Sequence, residues 1–273
     1  MPGTSQSLNA IVAERNDLAP GLMTLRVVPD GWELPDFTPG QYTVLALPGS
    51  TPRCEGADPE KREPAPSKLI KRAYSIASSS RAKEYLEFYI TLVNSGALTP
   101  RLFNLSAGDR LWLSKKTTGV FTLDSVPPEL NLVLFSTGTG IAPYISMVRS
   151  VLATAGDRRF AIVHGARHSW DLGYQAELTA LAESRPNFFY LPVISRPQQE
   201  PEPWTGETGY CQDAWTRRLI ERQWGFTPTP VNTHVFLCGN PDMIEDTLEL
   251  LTEEHFKKHN KLFPGQVHLE KYW

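Results

Sequence analysis

The sequence predicts two domains of different class: an N-terminal antiparallel β-barrel, residues 1–125, and a C-terminal doubly wound α/β domain with a parallel sheet, residues 126–273. Three observations carry this prediction. The 273 residues are about twice the length of a typical domain. Up to about residue 123 the apolar residues alternate in short runs broken by turn residues, as in antiparallel strands with one face in a core. Beyond Pro127-Pro128 the apolar runs become continuous and are separated by segments of helical spacing, the pattern of parallel strands covered on both faces.

The first half reads as strands at LRVV (25–28), YTVLAL (42–47), KLIKRAYSIAS (68–78), YLEFYITLV (85–93) and DRLWLSK (109–115), punctuated by PDG, TPG, NSG and AGD. Gly96-Ala97-Leu98-Thr99 opens the one clear helical segment here, with Thr99 and Pro100 giving a cap-like start whose amides suit an anion. Residues 50–68, STPRCEGADPEKREPAPSK, are rich in proline and charge and read as an exposed loop inserted in the barrel. The second half reads as strands LNLVLFS, RFAIVHG, NFFYLPVIS and THVFLCG, alternating with helices at 143–155, 174–184, 212–224 and 242–258. Such a sheet binds ligands at the carboxyl ends of its strands.

Composition narrows the function. Lys and Arg number 27 against 30 Asp and Glu, a net charge of −3, which argues against nucleic-acid binding. No apolar run approaches the roughly 20 residues of a membrane span, and the first 20 residues lack a secretion signal. A soluble, cytoplasmic protein is expected. Cys54, Cys211 and Cys238 are odd in number and far apart, with no CxxC pair, which argues against a disulfide framework or a structural zinc site and excludes an iron–sulfur cluster held by four cysteines of this chain. His255 and His259 fall at i and i+4 of a predicted helix, but only Phe and two Lys separate them, so a solvated face is expected and no metal.

Several strings carry chemistry. Ser136-Thr137-Gly138-Thr139-Gly140-Ile141-Ala142-Pro143 ends the first parallel strand; Gly138 and Gly140 let the backbone turn tightly and approach a ligand, although a strand–helix turn needs glycine for steric reasons alone. Arg167 in HGAR and Arg196 in ISR end the next two strands, where both guanidiniums face one rim and suit a phosphate; two solvated arginines are the alternative. Cys238-Gly239-Asn240-Pro241 places a small polarizable side chain on the same rim, with a buried structural cysteine as the alternative. Arg72-Ala73-Tyr74-Ser75 combines a phosphate clamp, a stacking surface and a hydroxyl, which suits a flavin nucleotide, although taken singly it is ordinary strand.

Together and in order, these strings resemble the ferredoxin–NADP reductase family, specifically its bacterial members, over nearly the whole chain. RAYS resembles the family's RxYS flavin motif, FYITLVNSGALTPRLFNLSAGD its second flavin segment, and STGTGIAPYISMVR its nicotinamide-domain glycine turn; HGAR, ISR, LCGNPDM and the terminal EKYW also match. The resemblance implies a six-stranded FAD-binding barrel and an NADP-binding domain whose C-terminal tail returns to the FAD. It implies that Arg72, with Ala73, binds the FAD pyrophosphate, that Tyr74 packs on the flavin, and that Ser75 lies near flavin N5. It assigns further FAD contacts to Tyr89, Gly96, Leu98, Thr99 and Thr139, and to Tyr272 and Trp273, with Trp273 at the adenine end. It places Gly138 and Gly140 at the NADP turn, Ala166, Arg167, Ser195 and Arg196 around the adenosine phosphate, and Cys238 with Gly239 toward the nicotinamide. Ser75 and Cys238 are then the catalytic candidates. One departure stands out: where bacterial relatives carry a further arginine after a Thr-Gly step, this chain has Glu207 and Tyr210, and Tyr210 with Gln212 resembles the plastid-type pattern in which a tyrosine stacks on adenine. Segment 50–68 is longer than in short bacterial members and has no assigned role.

The function implied is an FAD enzyme, working as a monomer, that exchanges hydride with NADP(H) and single electrons with ferredoxin or flavodoxin. An acidic carrier would meet a basic rim of Lys68, Lys71, Arg72, Lys115 and Lys116. The alternatives are an NAD(P)H-dependent flavin reductase or oxygenase reductase component, and a non-catalytic flavin-binding regulatory subunit. An attached iron–sulfur domain is excluded by the cysteine count, and the presence of Ser75, Cys238 and the glycine turn opposes the non-catalytic reading.

Overall fold

In the computed structural model, which describes residues 7–271, the first half forms β1 (Ala10–Ala19), β2 (Leu22–Pro29), β3 (Tyr42–Pro48), β4 (Leu69–Ser75), β5 (Leu86–Thr91), a single helical turn α1 (Thr99–Leu102) and β6 (Arg110–Leu113). The strands pair antiparallel in the order β4-β3-β6-β1-β2-β5. The two ends of this order meet at an antiparallel bridge between Ile76 and Phe88, reinforced by the Ala77 amide donating to the Glu87 carbonyl at 2.8 Å. The sheet is thereby closed just after the RAYS motif. Its interior is filled by fully buried Val12, Leu25, Val27, Leu45, Phe88 and Leu111.

Strand β1 has no counterpart in the sequence reading. Its register against β2 shifts between Val12 and Glu14 and again between Asp17 and Ala19, and each bulge breaks the alternation on which a strand is recognised. Only its first residues face the core, and Glu14, Arg15, Asn16 and Asp17 face outward.

The second half forms β7 (Asn131–Thr137), α2 (Ala142–Val151), β8 (Phe160–Ala166), α3 (Gln175–Ser184), β9 (Phe188–Ile194), the two-residue β10 (Glu207–Thr208), α4 (Cys211–Thr216), α5 (Leu219–Trp224), β11 (Thr233–Gly239), α6 (Pro241–Glu253) and β12 (Val267–Lys271). All its strands run parallel in the order β10-β9-β8-β7-β11-β12. The chain builds outward from β7 through β8 and β9, then returns to place β11 on the other side of β7. The order reverses between β7 and β11, and ligands of such sheets bind at the strand ends flanking that reversal.

The chain divides into two compact units: residues up to Thr122 together with Ala142–Ser150, and Leu123–Ile141 together with the residues from Val151 onward. Most of α2 therefore belongs with the barrel. Ser146 Oγ donates to the Ser78 carbonyl at 2.8 Å, the Ser150 hydroxyl accepts from the Ser80 amide at 2.9 Å, and Arg149 Nη1 reaches Glu87 Oε1 at 2.7 Å.

Four local expectations are corrected. The helix expected at 143–155 is α-helical only to Val151 and tightens into a 3₁₀ turn, Leu152–Thr154. The helix expected at 212–224 is two short ones, because Arg218 adopts a left-handed conformation, φ 56°, while its guanidinium pairs with Glu254. The last helix ends at Glu253, and His255 beyond it has φ 69°, so His255 and His259 do not share a helix face. The His259 ring instead stacks on His268, centroids 4.5 Å apart. Finally, Thr99 does not cap α1; Leu98 occupies that position, and the Thr99 hydroxyl accepts from the Val93 amide at 3.0 Å and donates to its carbonyl.

Candidate functional site

In the barrel unit the candidate residues gather around β4. The strand stands at the end of the sheet order, so its outer edge has no strand partner among the described residues before the Ile76–Phe88 bridge. Arg72 is exposed, and among the described residues its guanidinium makes one hydrogen bond, from Nη1 to the Lys71 carbonyl at 2.8 Å. Ala73 is exposed beside it, Tyr74 is half-buried, and Ser75 is buried where the strand meets the closure. The Tyr74 ring packs edge-on against Phe88, centroids 6.4 Å apart. Burial pushes its phenol well above the ordinary value, offset in part by the Arg72 charge, so the ring is a neutral surface at all working pH.

The 96–99 loop lies in the same unit. Gly96 is tight on every side: a Cβ there would stand 3.0 Å from the Val93 carbonyl oxygen and 3.1 Å from Thr99 Oγ1. Among the described residues the backbone N–H groups of Ala97, Leu98 and Thr99 have no acceptor, which leaves three successive donors for an anion. Leu98, at 1% exposure, and Tyr89, at 3%, place their side chains under cover.

In the parallel-sheet unit, Gly140 and Gly239 lock the ends of β7 and β11 together. A Cβ on Gly140 would lie 2.2 Å from the Cys238 carbonyl oxygen, and one on Gly239, φ 133°, 2.3 Å from Thr137 Oγ1. Neither position tolerates a side chain, for reasons of chain packing alone. Gly138 differs. It has φ 54°, is exposed, and faces open space, so it is the glycine past which a ligand can approach. Thr139 sits half-buried in the 3₁₀ turn Gly138–Ile141. Cys238 is 0% exposed, paired in the ladder between Ser136 and Glu270. The following Asn240 accepts from Asp242 N at 2.7 Å as the cap of α6.

The ends of β8 and β9 remain paired one step past the sheet: Ser195 N donates to the Ala166 carbonyl at 3.0 Å and Arg196 N to the Arg167 carbonyl at 2.9 Å. Arg167 and Arg196 are thus backbone neighbours, and both side chains are exposed without a hydrogen-bond or ion-pair partner among the described residues. Two unneutralised cations on neighbouring strand ends suit an anion. Glu207, the acid that departs from the bacterial pattern of an arginine, is paired with Arg217 at 2.7 Å. Arg217 was not singled out from sequence, since nothing local links it to Glu207. The ring of Tyr210 is 65% exposed at the start of α4. Next to it Gln212 donates to Asp246 Oδ2 at 3.0 Å, while its own Oε1 is buried without a partner. An exposed ring beside an unmet acceptor suits a base that carries an amino group. Cys211, beneath this turn, is buried; burial pushes its thiol up to about 12, which makes it inert.

Residues 134–249 match the family model for the oxidoreductase NAD-binding domain. The fold is that of the two-domain ferredoxin–NADP reductases: a ferredoxin NADP+ reductase from Neisseria gonorrhoeae, solved with bound FAD and NADP, superposes with a TM-score of 0.79 at 25% identity over 97% of this chain and 98% of that one. The flavodoxin/ferredoxin–NADP reductase of Buchnera aphidicola subsp. Baizongia pistaciae is 33% identical over 87% of this chain and 88% of its own, and that of Escherichia coli K12 is 31% identical over the same shares. The chain belongs to the flavodoxin/ferredoxin–NADP reductase family.

Proposed function

We propose that this protein is an FAD-dependent ferredoxin/flavodoxin–NADP reductase. The observation that carries the reading is the pair of unpartnered guanidiniums, Arg167 and Arg196, on adjacent strand ends of a chain whose barrel presents the Arg72-Tyr74-Ser75 constellation. The residues fit both nucleotides. FAD, when bound, supplies the exchange between two-electron and one-electron transfer. Arg72 and the open amides of 97–99 are donors for its diphosphate, and Tyr74 offers an uncharged ring. For NADP(H), Gly138 gives backbone access, Arg167, Ser195 and Arg196 receive the adenosine phosphate, and Tyr210 with Gln212 receives the adenine. Ser75 and Cys238, with Tyr89, Thr139, Gly140, Ala166 and Gly239 around the two sites, complete the assignment. Tyr272 and Trp273 lie outside the described residues.

The purified protein is expected to be yellow, with one noncovalent FAD. Arg72→Ala should weaken FAD binding about tenfold or more, the worth of one charge-assisted hydrogen bond, while leaving NADPH affinity unchanged. A colourless protein that takes up no FAD would overturn the reading.

The proposed electron partner is an acidic one-electron carrier, ferredoxin or flavodoxin, docking on the barrel. Two lysines of the basic rim rest on tryptophan rings of the barrel: Lys71 Nζ lies 4.4 Å from the centre of Trp112 and Lys115 Nζ 5.2 Å from that of Trp32. Cation–π contact holds each ammonium over a rigid surface without neutralising it. Carrier reduction should slow as salt rises. Lys115→Glu with Lys116→Glu should slow it about tenfold further at low salt, with NADPH-to-dye turnover intact. A rate indifferent to both changes would rule out this docking surface. We take the enzyme to work as a monomer in the cytoplasm; among the described residues no helix is long and apolar enough to cross a membrane. The flavin-reductase and non-catalytic readings are not favoured, and steady-state dye reduction by NADPH separates the last from an enzyme.

A further inference from the structure

Segment 50–68 contains no strand or helix, yet it is tied at many points to the 94–101 stretch that includes the open amides. Arg53 Nη1 donates to the Gly96 carbonyl at 2.9 Å, and its Nη2 donates to the carbonyls of Asp58 and Asn94 at 2.8 Å each. Glu60 accepts two parallel bonds from Arg101, at 2.9 and 2.8 Å. Arg101, almost fully buried, also donates to the carbonyls of Ala97 at 2.7 Å and Gly49 at 2.9 Å. The Cys54 and Asp58 amides reach the carbonyls of Pro100 and Asn94. The segment therefore engages the carbonyls of Asn94, Gly96 and Pro100, while Arg101 takes that of Ala97, and the amides of 97–99 keep no acceptor among the described residues.

A cleft of about 250 Å³ opens between the segment and β4, with Ala97 at its edge. Arg62 and Lys68 from the segment and Lys71 and Arg72 from β4 line it, against one carboxylate, Glu60, which Arg101 already engages and holds below the usual carboxylate range. Four cationic residues lining one cleft beside amides without acceptors call for a multiply charged anion.

We propose that segment 50–68 is a cofactor-binding element: from a wall clamped by Arg53 and the Glu60–Arg101 pair, Arg62 and Lys68 contact the diphosphate of FAD. This rests on the FAD reading above. It assigns this chain's insertion a role alongside Arg72, on the opposite side of the cleft. Both side chains are exposed and make no hydrogen bond or ion pair among the described residues, and the bonds of Lys68 to Ala65 and Gly49 are backbone ones that an alanine keeps, so replacing the two removes charge without removing structure.

The test is the FAD dissociation constant of the holoprotein, read from the fluorescence of released flavin on dilution. Arg62→Ala with Lys68→Ala is expected to raise it about tenfold at low salt, two partly exposed charge contacts together, and to flatten its dependence on salt, with the melting temperature of the FAD-stripped protein unchanged. Lys61→Ala, in the same segment but outside the cleft, is expected to leave it unaltered. A double variant that holds FAD as tightly as the wild type, while the wild type binds it, overturns this inference alone. A wild-type protein that binds no FAD overturns both it and the reading on which it rests.

Discussion

Glu87→Ala is expected to destabilise the barrel unit by about 2–4 kcal/mol, toward the lower part of the range for breaking a buried ion pair because the partner guanidiniums are partly exposed. Glu87 lies at the closure on β5 with its side chain covered, and accepts from Arg26 Nε at 2.8 Å and Arg149 Nη1 at 2.7 Å. The carboxylate hydrogen bond is the main cause of the raised Arg26 pKa. Arg149 also donates to the Ala77 carbonyl at 3.1 Å, so one carboxylate joins the two ends of the sheet order to the helix that packs over them. Its loss leaves Arg149 and Arg26 facing a cavity without their shared carboxylate, Arg26 keeping its pair with Glu14 at 2.5 Å. Thermal unfolding should drop by about 5–12 °C, and Glu87→Gln, which keeps the shape but not the charge, should recover part of the difference. Melting unchanged from wild type in Glu87→Ala would mean that the strand bridge alone closes the barrel.

Arg167→Ala combined with Arg196→Ala is expected to cost about a hundredfold in the ratio of kcat/KM for NADPH over NADH, each charge-assisted bond to the 2′-phosphate being worth about 1.5–3 kcal/mol. The effect should fall on NADPH alone, because NADH offers a hydroxyl in place of the phosphate. The Glu207–Arg217 pair is compatible with this preference, since the charge of the acid that departs from the bacterial arginine pattern is met at 2.7 Å. Equal ratios before and after the double substitution would show that these guanidiniums do not read the phosphate.

Where the candidate residues fall on the strands and turns is largely legible in the sequence. RAYS, GALT, GTG, HGAR, ISR and CGNP each gather residues within four positions of one another, and a strand end or tight turn is dictated by near neighbours. Even so, local reading gave Thr99 the cap when its hydroxyl binds back to Val93, and drew one helix through Arg218, whose left-handed backbone is sustained by Glu254 from a different element. Gly140 could be read as a ligand-facing glycine or a steric one. Its contact with the Cys238 carbonyl, 98 residues away, shows that chain packing already requires it, while Gly138 faces open space.

The sequence by itself determined the two classes of sheet, the strands whose alternation is unbroken, and the family, because periodicity and short motifs are properties of adjacent residues. Tertiary structure alone decided that β1 completes the barrel despite its bulges and that Glu87 holds the closure. It also decided that Arg217 meets the Glu207 charge and that a proline-rich loop is clamped onto the 96–99 turn through Glu60 and Arg101, 41 positions apart. Each of these depends on a charge or carbonyl finding its partner across the fold. A buried or crowded polar group is satisfied by whatever the chain brings beside it, and sequence spacing carries no record of that distance.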